Sequence, residues 1–375
     1  MSDKLKILCV FGTRPEVIKM APVIQEMKKN PEKFICKICV TGQHREMIDP
    51  LLELFEITAD YDLNLMQENQ GLEHITITVL SEIGKIIDKE HFDYLMVQGD
   101  TTTAMAASLA AFYKRVKVAH VEAGLRTWDN DHPYPEEVNR KIIDGVSDLF
   151  FAHSDTAKQN LLNEGIEAEK IEVTGNTVID VLLESAKKEY DFRGSVFEKV
   201  FNSDRKMILV TAHRRENFGQ PIENICHAIK NIADRLDQEI MFVYPVHLNP
   251  NIQKPVYSLL GGSENILLTE PQEYLPFVHL MKRAYFILTD SGGLQEEAPS
   301  LGKPVLVLRQ TTERPEGVES GCVEIVGTDI DHMQKSISEL LDNKTKYERM
   351  AQAVNPYGDG KASQRIIARL FKEEA

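Results

Sequence analysis

The chain has 375 residues, 42% of them hydrophobic and 27% charged, which is the balance of a folded globular protein long enough for two domains. Its 58 acidic and 43 basic side chains give a formal net charge of −15, which disfavours nucleic acid and anionic membranes as partners. No signal peptide or membrane-span pattern is present and the five cysteines are scattered, so we predict a soluble, cytoplasmic protein.

Short β-branched runs alternate with amphipathic stretches in the first half of the chain, which is the pattern of βαβ units around a parallel sheet. We predict strands at residues 5–11, 34–40, 94–97, 116–121, 149–152 and 171–173. Helices are predicted between the strands, among others at residues 15–28 and 102–113. Thr13 can cap the first of these helices, and Pro15 suits its first turn.

A charged stretch at residues 187–204 carries no strong core pattern, so it is predicted to link two domains, residues 1–186 and 187–359. Beyond it the alternation restarts, with strands at 207–211, 240–245, 266–268, 286–289 and 304–308, and helices at 221–236, 274–283, 292–301 and 330–341. The C-terminal helix, about residues 360–375, is expected to pack back on the first domain. We therefore predict an α/β fold of two Rossmann-like, doubly wound domains that face each other across a ligand-binding cleft.

The loops after the first-half strands are unusually polar. Arg14 and Lys19 lie at the start of the first predicted helix, where the positive end of the helix dipole favours an anion. Asp100 could cap the helix that follows it, but the neighbouring threonines offer caps as well, so Asp100 is equally available for chemistry.

Two further carboxylates follow in the chain. Glu122 lies two residues after His120 on a predicted strand, so both side chains are expected on one face. Glu136 could simply favour the first turn of a helix. Together with Asp100, however, these acids give three carboxylates at one strand edge, which suits general acid/base catalysis.

The second half supplies positive charge and glycines. His213 and two arginines follow its first strand, and His247 follows another. Residues 291–293, Ser-Gly-Gly, open a helix directly after a strand, so their backbone N–H groups can hold a diphosphate. Glu296 lies about one turn further on and can reach ribose hydroxyls. The two glycines could alternatively serve close packing of the helix on the strand.

Known cofactor motifs are not present in the sequence. There is no Walker P-loop, the first strand–helix turn lacks the spacing of a dinucleotide fingerprint, and no His-Glu-x-x-His or comparable ligand set indicates zinc. We therefore predict a reaction that needs neither an organic cofactor nor a metal ion.

Six segments, in order over essentially the whole chain, form a specific set: residues 11–16 (FGTRPE), 98–101 (QGDT), 120–127 (HVEAGLRT), 135–140 (PEEVNR), 211–217 (TAHRREN) and 290–297 (DSGGLQEE). This set resembles the non-hydrolysing UDP-N-acetylglucosamine 2-epimerases. The resemblance implies a GT-B-like fold, usually a homodimer, that interconverts UDP-GlcNAc and UDP-ManNAc for cell-surface polysaccharide. The implied chemistry is elimination of UDP to a 2-acetamidoglucal and its re-addition.

The resemblance also implies roles for individual residues by motif position. The implied catalytic residues are Asp100, Glu122, Glu136 and His213. The implied contacts to UDP are Arg14, Lys19, Phe277, Ser291, Gly292, Gly293 and Glu296. Members of the family often bind a second UDP-GlcNAc as an allosteric activator, and the residues that match that site are Gln43, His44, Gln70, Arg215 and His247.

Three other protein classes share parts of this pattern. A GT-B glycosyltransferase would share the diphosphate site but needs an acceptor pocket and has little need for several first-domain carboxylates. A hydrolysing epimerase would release free N-acetylmannosamine and UDP. A nucleotide-sugar-binding protein would show no turnover. The three carboxylates together with His213 favour the epimerase.

Overall fold

The computed structural model describes residues 4–42, 45–65 and 71–372. The chain divides into two compact units, the first formed by Met1–Val181 and Tyr357–Ala375 and the second by Leu182–Pro356. These bounds compare with the predicted domain limits at residues 186 and 359. The C-terminal helix belongs to the first unit.

The sheet of the first unit consists, within the described residues, of seven parallel strands. They are β1 (Leu5–Phe11), β2 (Phe34–Val40), β3 (Tyr61–Asp62), β4 (Tyr94–Gln98), β5 (Lys117–Ala123), β6 (Leu149–Ala152) and β7 (Ile171–Val173). They lie in the order β3-β2-β1-β4-β5-β6-β7. Every residue of β4 is buried, as expected for a parallel strand whose sheet is covered on both faces.

The helices around this sheet come from the connections between its strands, and the last of them follows β7. They are α1 (Arg14–Lys28), α2 (Arg45–Leu54), α3 (Leu72–Lys89), α4 (Thr102–Tyr113), α5 (Glu136–Val146), α6 (Asp155–Asn163) and α7 (Thr177–Ser185). Most of α4 is buried, because its small alanine side chains let it lie close to both α3 and α5.

The second unit repeats the architecture with six parallel strands in the described residues. They are β8 (Lys206–Thr211), β9 (Ile240–Pro245), β10 (Ile266–Thr269), β11 (Phe286–Thr289), β12 (Val305–Val307) and β13 (Val323–Ile325), in the order β10-β9-β8-β11-β12-β13. Its helices are α8 (Glu198–Phe201), α9 (Gln220–Arg235), α10 (Pro250–Leu260), α11 (Tyr274–Arg283), α12 (Gly292–Glu297), α13 (Pro315–Glu319), α14 (Ile330–Asp342) and α15 (Lys344–Ala351). The last helix, α16 (Ala362–Lys372), packs on α1 of the first unit.

Both sheets reverse their strand order at the same place. In the first unit β1 lies beside β4, and in the second β8 lies beside β11, so each sheet has a topological switch point between its first and fourth strands. In doubly wound sheets the loops at the carboxyl ends of those two strands form the ligand-binding crevice. The loops that carry Arg14, Asp100, His213 and Ser291 leave the sheets at these points, whereas Glu122 and His247 lie at the ends of the neighbouring strands β5 and β9.

Three details of the predicted secondary structure need correction. The short edge strands β3 and β13 are not among the predicted strands. The predicted helix at 292–301 is α12 followed by a 3₁₀ turn at Ala298–Leu301. The stretch 187–204 is not devoid of a core: Phe192, Phe197 and Phe201 form an aromatic cluster, and the first two are buried.

The described residues contain neither a membrane-spanning helix nor a cluster of metal ligands. In those ranges no helix has the length and the apolar composition that crossing a membrane requires. Nor does any group of three or more His, Cys, Asp or Glu side chains in the same ranges have an arrangement that could hold a metal ion.

Candidate active site

A buried carboxylate joins the two switch-point loops of the first unit. Glu16, on the first turn of α1, is 1% exposed. One of its oxygens accepts hydrogen bonds from the backbone amides of Gly12 and Thr13, at 3.0 and 2.8 Å. Its other oxygen accepts one from the Thr101 hydroxyl at 2.7 Å. The loop after β1 is thereby fixed to the loop after β4.

Asp100 lies in the turn between β4 and α4. Gly99 precedes it with a φ of +69°, a conformation that favours glycine. The cap of α4 is Thr101, whose Oγ1 accepts a hydrogen bond from the Ala104 amide at 3.0 Å. The carboxylate of Asp100 is therefore not used to cap the helix and is available for other contacts.

The surroundings of Asp100 make its ionisation costly. Burial raises the pKa of Asp100, and Arg140, whose Nη2 lies 2.6 Å from Oδ2, opposes that shift. Glu122 raises the pKa further, Lys19 opposes it, and Glu136 adds a smaller rise. The structure therefore brings Asp100, Glu122 and Glu136 together, and we call these three residues the carboxylate cluster.

Glu122 is held firmly within this cluster. Lys19 donates hydrogen bonds to both of its oxygens, at 2.6 and 2.7 Å. Gln98 Nε2 donates to Oε2, and Asn176 Nδ2 donates to Oε1 at 3.3 Å. Four hydrogen bonds from three side chains hold this buried carboxylate in place.

The prediction that His120 and Glu122 share one face of their strand is wrong. The pairing of β5 with β6 shifts register at Glu122, which has a φ of +67°. This bulge interrupts the alternation of side chains along the strand. As a result His120 contacts Asp144 on α5, whereas Glu122 contacts Lys19 on α1.

The adjacent acids Glu136 and Glu137 have different environments. Glu137 is fully buried and accepts hydrogen bonds from the backbone amides of Thr127 and Trp128, at 2.9 and 3.1 Å. Glu136 is the first residue of α5, and its buried Oε2 has no hydrogen-bond partner among the described residues. Glu137 therefore orders the loop before α5, while Glu136 keeps an oxygen available.

The second unit also uses a buried carboxylate to join its switch-point loops. Asp290 follows β11 and is fully buried. Its Oδ2 accepts hydrogen bonds from the amides of His213 and Arg214, both at 2.8 Å, and from Asn217 Nδ2 at 2.9 Å. The loop after β8, which carries His213, is thereby fixed to the loop after β11.

His213 lies beside the buried Asp290 and stacks on a second imidazole, that of His247. Its Nδ1 lies 3.2 Å from Asp290 Oδ1, and its ring is 5.6 Å from that of His247 at an interplanar angle of 15°. Burial lowers the pKa of His213; Asp290 opposes the shift, and His247 and Arg214 add to it. A lowered pKa favours the neutral imidazole near pH 7, which can donate or accept a proton.

The glycine-rich loop after β11 lies beside an arginine. Ser291 precedes α12, whose first two residues are Gly292 and Gly293. A Cβ atom placed on Gly292 would lie 3.5 Å from Arg214 Nη2. A guanidinium group and bare backbone therefore occur together, as in sites that hold phosphate oxygens.

Glu296 and Phe277 complete the predicted UDP set in this unit. Glu296 is 2% exposed, and its carboxylate accepts a hydrogen bond from Arg314 Nε. Its backbone carbonyl accepts another from Asn355 Nδ2 at 2.8 Å. Phe277 lies in α11 and is half-buried. The roles of both residues toward UDP stay predictions.

The remaining predicted residues are placed as follows. Arg14 is the first residue of α1 and is half-buried, and Lys19 lies on the same helix. The contacts of Lys19 are to Glu122, so the structure gives this lysine a partner other than the predicted UDP. Of the predicted activator residues, Arg215 and His247 are exposed, and Gln43, His44 and Gln70 lie outside the described residues.

Sequence reasoning missed three side chains that shape the carboxylate cluster. Gln98 is the last residue of β4, and Asn176 follows β7 by three residues, so the rule that ligand residues gather at carboxyl ends of strands could have found both. Arg140 lies on the second turn of α5, one turn after Glu136. The i, i+4 spacing of Glu136 and Arg140 was the available signal for it.

Two doubly wound parallel sheets with polar residues at the carboxyl ends of their strands define the class of GT-B-like α/β proteins. The family model for UDP-N-acetylglucosamine 2-epimerase matches residues 25–371, and the chain belongs to this family. It is 52% identical over 371 residues to the UDP-N-acetylglucosamine 2-epimerase of Escherichia coli K12, covering 98% of both chains.

Solved structures agree with this assignment. The crystal structure of UDP-GlcNAc 2-epimerase from Neisseria meningitidis bound to UDP-GlcNAc is 49% identical, with a TM-score of 0.87 over 98% of this chain and 100% of that one. The Methanocaldococcus jannaschii UDP-GlcNAc 2-epimerase in complex with UDP-GlcNAc and UDP is 36% identical, with a TM-score of 0.79 over the same shares. The predicted family and fold class are confirmed.

Proposed function

We propose that this chain is a non-hydrolysing UDP-N-acetylglucosamine 2-epimerase, an isomerase that interconverts UDP-GlcNAc and UDP-ManNAc. The observation that carries the proposal is the carboxylate cluster: Arg140, one turn after Glu136 on α5, pairs with Asp100 at 2.6 Å, and Glu122 lies beside Gly99 in the same turn. The cluster lies in a chain that is 52% identical to an enzyme of that name and 49% identical to one with UDP-GlcNAc bound.

The reaction must invert a carbon whose hydrogen is not acidic. C2 of the sugar is not next to a carbonyl group, so direct removal of its proton by a carboxylate is too slow. UDP therefore leaves first: the anomeric C1–O bond breaks, its electron pair departs with UDP, and the positive character at C1 acidifies the hydrogen on C2. A carboxylate removes that proton, which leaves a 2-acetamidoglucal and UDP.

The second half of the reaction reverses these steps on the other face. UDP adds back to C1, and an acid delivers a proton to the opposite face of C2. The substrate and the product have the same atoms and oxidation state, so this scheme requires no net oxidant. It requires two proton-transfer groups and strong stabilisation of the departing diphosphate.

Within the carboxylate cluster, the contacts favour Asp100 and Glu136 as the two proton-transfer groups. Asp100 has a raised pKa, which brings its proton affinity closer to that of a working acid or base. Glu136 has a buried oxygen without a hydrogen-bond partner in the described part of the chain. Glu122 has both oxygens occupied by Lys19 and serves as a fixed negative charge that orients and tunes its neighbours.

The second unit supplies the groups for the diphosphate in this proposal. His213 protonates or hydrogen-bonds the departing UDP, and Arg214 and the amides at the start of α12 stabilise its charge. The proposed contacts to UDP are Arg14, Phe277, Ser291, Gly292, Gly293 and Glu296. Because the whole chain carries a net charge of −15, this local positive charge is needed to attract an anionic substrate.

We also propose that the enzyme acts as a cytoplasmic homodimer that supplies N-acetylmannosamine units for cell-surface polysaccharide. Large apolar side chains exposed on α3 and α4, namely Ile77, Phe112 and Tyr113, are of the kind that a subunit interface covers. Light scattering of the purified protein will show one mass near twice 42.5 kDa if the dimer forms.

Arg215 and His247, both exposed, are proposed to contact an activating second UDP-GlcNAc.

Proton NMR of the purified enzyme with UDP-GlcNAc alone in D₂O tests the proposed reaction. Appearance of UDP-ManNAc with deuterium at C2 is the expected result, because the C2 proton exchanges with solvent in the glucal pathway. Free N-acetylmannosamine and UDP would instead identify a hydrolysing enzyme. Unchanged substrate would refute the epimerase proposal and leave a transferase that needs an acceptor, or a protein that only binds nucleotide sugars.

A further inference from the structure

His120 belongs to a buried charged network that the proposed reaction does not use. The side chain is fully buried, and its Nδ1 is hydrogen-bonded to Asp144 Oδ1 at 2.6 Å. Asp144 Oδ2 accepts a second hydrogen bond from Arg126 Nη2 at 2.7 Å. Burial opposes ionisation of Asp144, but His120 and Arg126 outweigh it and lower its pKa, so Asp144 is a carboxylate.

The other nitrogen of the same ring reaches the turn that carries Asp100. His120 Nε2 lies 2.7 Å from the carbonyl oxygen of Gly99, and because a carbonyl can only accept, Nε2 is the donor. Asn139 Nδ2 donates to the carbonyl oxygen of Asp100 at 2.9 Å. The backbone carbonyls of Gly99 and Asp100 thus each accept a hydrogen bond from a side chain. The donor to Gly99 is His120 on β5, and the donor to Asp100 is Asn139 on α5.

Stability alone does not account for a buried charged network, because well-packed apolar residues of similar volume are often at least as stabilising. The ring nitrogens of His120 fix the positions of the groups they contact, which apolar packing does not, since a hydrogen bond requires a defined donor and acceptor geometry. The hydrogen bond from Nε2 ends at the carbonyl of Gly99, whose positive φ directs the chain into Asp100. The network therefore contacts the turn from which the Asp100 side chain projects.

We propose that His120, oriented by Asp144, is a positioning residue for Asp100: its Nε2–H holds the Gly99 carbonyl and thereby fixes the turn from which Asp100 reaches the substrate. The inference rests on the proposed epimerase function, in which Asp100 transfers a proton. His120 itself touches neither the sugar nor UDP in this scheme, so its replacement should affect kcat far more than KM.

Two amide substitutions separate the two hydrogen bonds of the ring. In His120→Asn the amide nitrogen can take the place of Nδ1 and keep the bond to Asp144, but nothing reaches Gly99. In His120→Gln the amide nitrogen can take the place of Nε2 and keep the bond to Gly99, while the bond to Asp144 is lost. We expect kcat to fall about 100-fold in His120→Asn, as for a catalytic group misplaced by about 1 Å, with KM nearly unchanged.

His120→Gln is expected to keep kcat within about tenfold of the wild type, the scale of one ordinary hydrogen bond. Melting temperatures of both variants show whether they are folded. Equal losses of kcat in the two folded variants, or a normal kcat in His120→Asn, would overturn the proposal. If His120→Asn does not fold, His120→Gln decides alone, because a 100-fold loss with the Gly99 bond retained contradicts the inference.

A double substitution tests whether His120 acts through Asp100. In an Asp100→Asn background, His120→Asn should lower the residual kcat little further, whereas a general structural role would impose its full loss again. Hydrogen exchange provides a readout that does not need activity. The Gly99 amide donates to the Val121 carbonyl at 3.0 Å, and its protection should fall in His120→Asn and persist in His120→Gln.

The wild-type assay keeps the two proposals distinct. Absence of epimerisation by the wild-type enzyme would refute the proposed function, while the exchange measurement still reports whether His120 fixes the Gly99 turn. Normal wild-type turnover with unchanged Gly99 protection in His120→Asn would refute the positioning role alone.

Discussion

The two units share one topology but carry different side chains in the loops around its switch point. Around the first and fourth strands the order is β2-β1-β4-β5 in the first unit and β9-β8-β11-β12 in the second. The loops of the first unit gather the carboxylate cluster, whereas those of the second carry His213, Arg214 and a glycine-rich turn. We call the loops of the first unit that carry the carboxylate cluster the acidic half-site. The loops of the second unit that carry His213, Arg214 and the glycine-rich turn are the basic half-site.

The comparison also shows how each unit fixes its loops. A single buried carboxylate joins the two switch-point loops in both cases: Glu16 from the first loop in the first unit, and Asp290 from the second loop in the second. Backbone amides are the principal donors to each. The scaffold solution is therefore common to both units, and the chemistry is set by the few side chains that the fixed loops carry.

The largest expected effect comes from removing proton transfer in the acidic half-site. Asp100→Asn and Glu136→Gln each keep the side-chain shape but cannot take up the C2 proton. We expect kcat to fall by about 10² to 10⁴ in each variant, the usual contribution of general acid/base catalysis. The NMR assay in D₂O measures both the rate of epimerisation and the exchange at C2.

Asp131→Asn is the matched control for these variants, because Asp131 is an exposed acid close to Glu136 in the sequence. Its kcat should equal that of the wild type. Near-normal turnover in folded Asp100→Asn and Glu136→Gln would break the comparison, because the acidic half-site would then have no proton-transfer function.

Substitution of Lys19 tests whether this side chain supports Glu122 or binds UDP. If Lys19 supports Glu122, as its contacts at 2.6 and 2.7 Å indicate, Lys19→Met should lower kcat by about 10 to 100-fold with little change in KM. If it binds UDP instead, KM should rise while kcat changes less. Steady-state kinetics separates the two cases, and Lys29→Met, an exposed lysine just after the same helix, is the control.

Much of this comparison could be predicted from the sequence, for a physical reason. Parallel strands buried on both faces give apolar runs that alternate with helices, so eleven of the thirteen strands in the described residues, all except β3 and β13, and the polar loops after them are recognisable one by one. The ordered motifs then indicated the family. What could not be predicted is the partner of each side chain: the sequence gives no sign that Lys19 donates to Glu122, 103 residues away, and its predicted contact with UDP stays a prediction.

The side-chain directions within β5 were equally beyond sequence reasoning. Strict alternation predicts a shared face for His120 and Glu122, and only the register shift with β6 reveals that they diverge. A bulge of this kind depends on the pairing of two strands that are distant in sequence. It therefore leaves no local pattern, and a network such as Asp144 with His120 becomes visible only in three dimensions.

In the basic half-site, a smaller effect is expected from filling the space beside the glycine-rich turn. A Cβ on Gly292 would make an ordinary contact with Arg214 Nη2 at 3.5 Å, so Gly292→Ala should fold normally. The added methyl would hinder the approach of a diphosphate to the backbone. We expect KM for UDP-GlcNAc to rise about tenfold, equivalent to about 1.4 kcal/mol of binding, with kcat less affected.

Gly145→Ala provides the control, since a Cβ at that position of α5 meets nothing within 4 Å. A KM for Gly292→Ala that equals the control value would argue against diphosphate binding at the start of α12. Isothermal titration with UDP alone gives the same comparison without turnover, and it distinguishes weaker binding from slower chemistry.

The smallest effects are shifts of the pH profile, and they probe the charges around Asp100. Burial raises the pKa of Asp100, while Arg140 lowers it and Glu122 raises it. If Asp100 accepts a proton, the acid limb of kcat/KM follows its pKa in the free enzyme. Arg140→Met removes the opposing cation, so the pKa should rise further and the acid limb should move to higher pH.

Glu122→Gln makes the opposite prediction from the same cluster. Loss of its negative charge removes one cause of the raised pKa of Asp100, so the acid limb of the residual activity should move to lower pH. Opposite shifts in the two variants would show that Asp100 titrates in the field of both neighbours. An unchanged acid limb in both variants would indicate that another group, such as His213 in the basic half-site, sets the acid limb, because neither Arg140 nor Glu122 is among the causes that shift the pKa of His213.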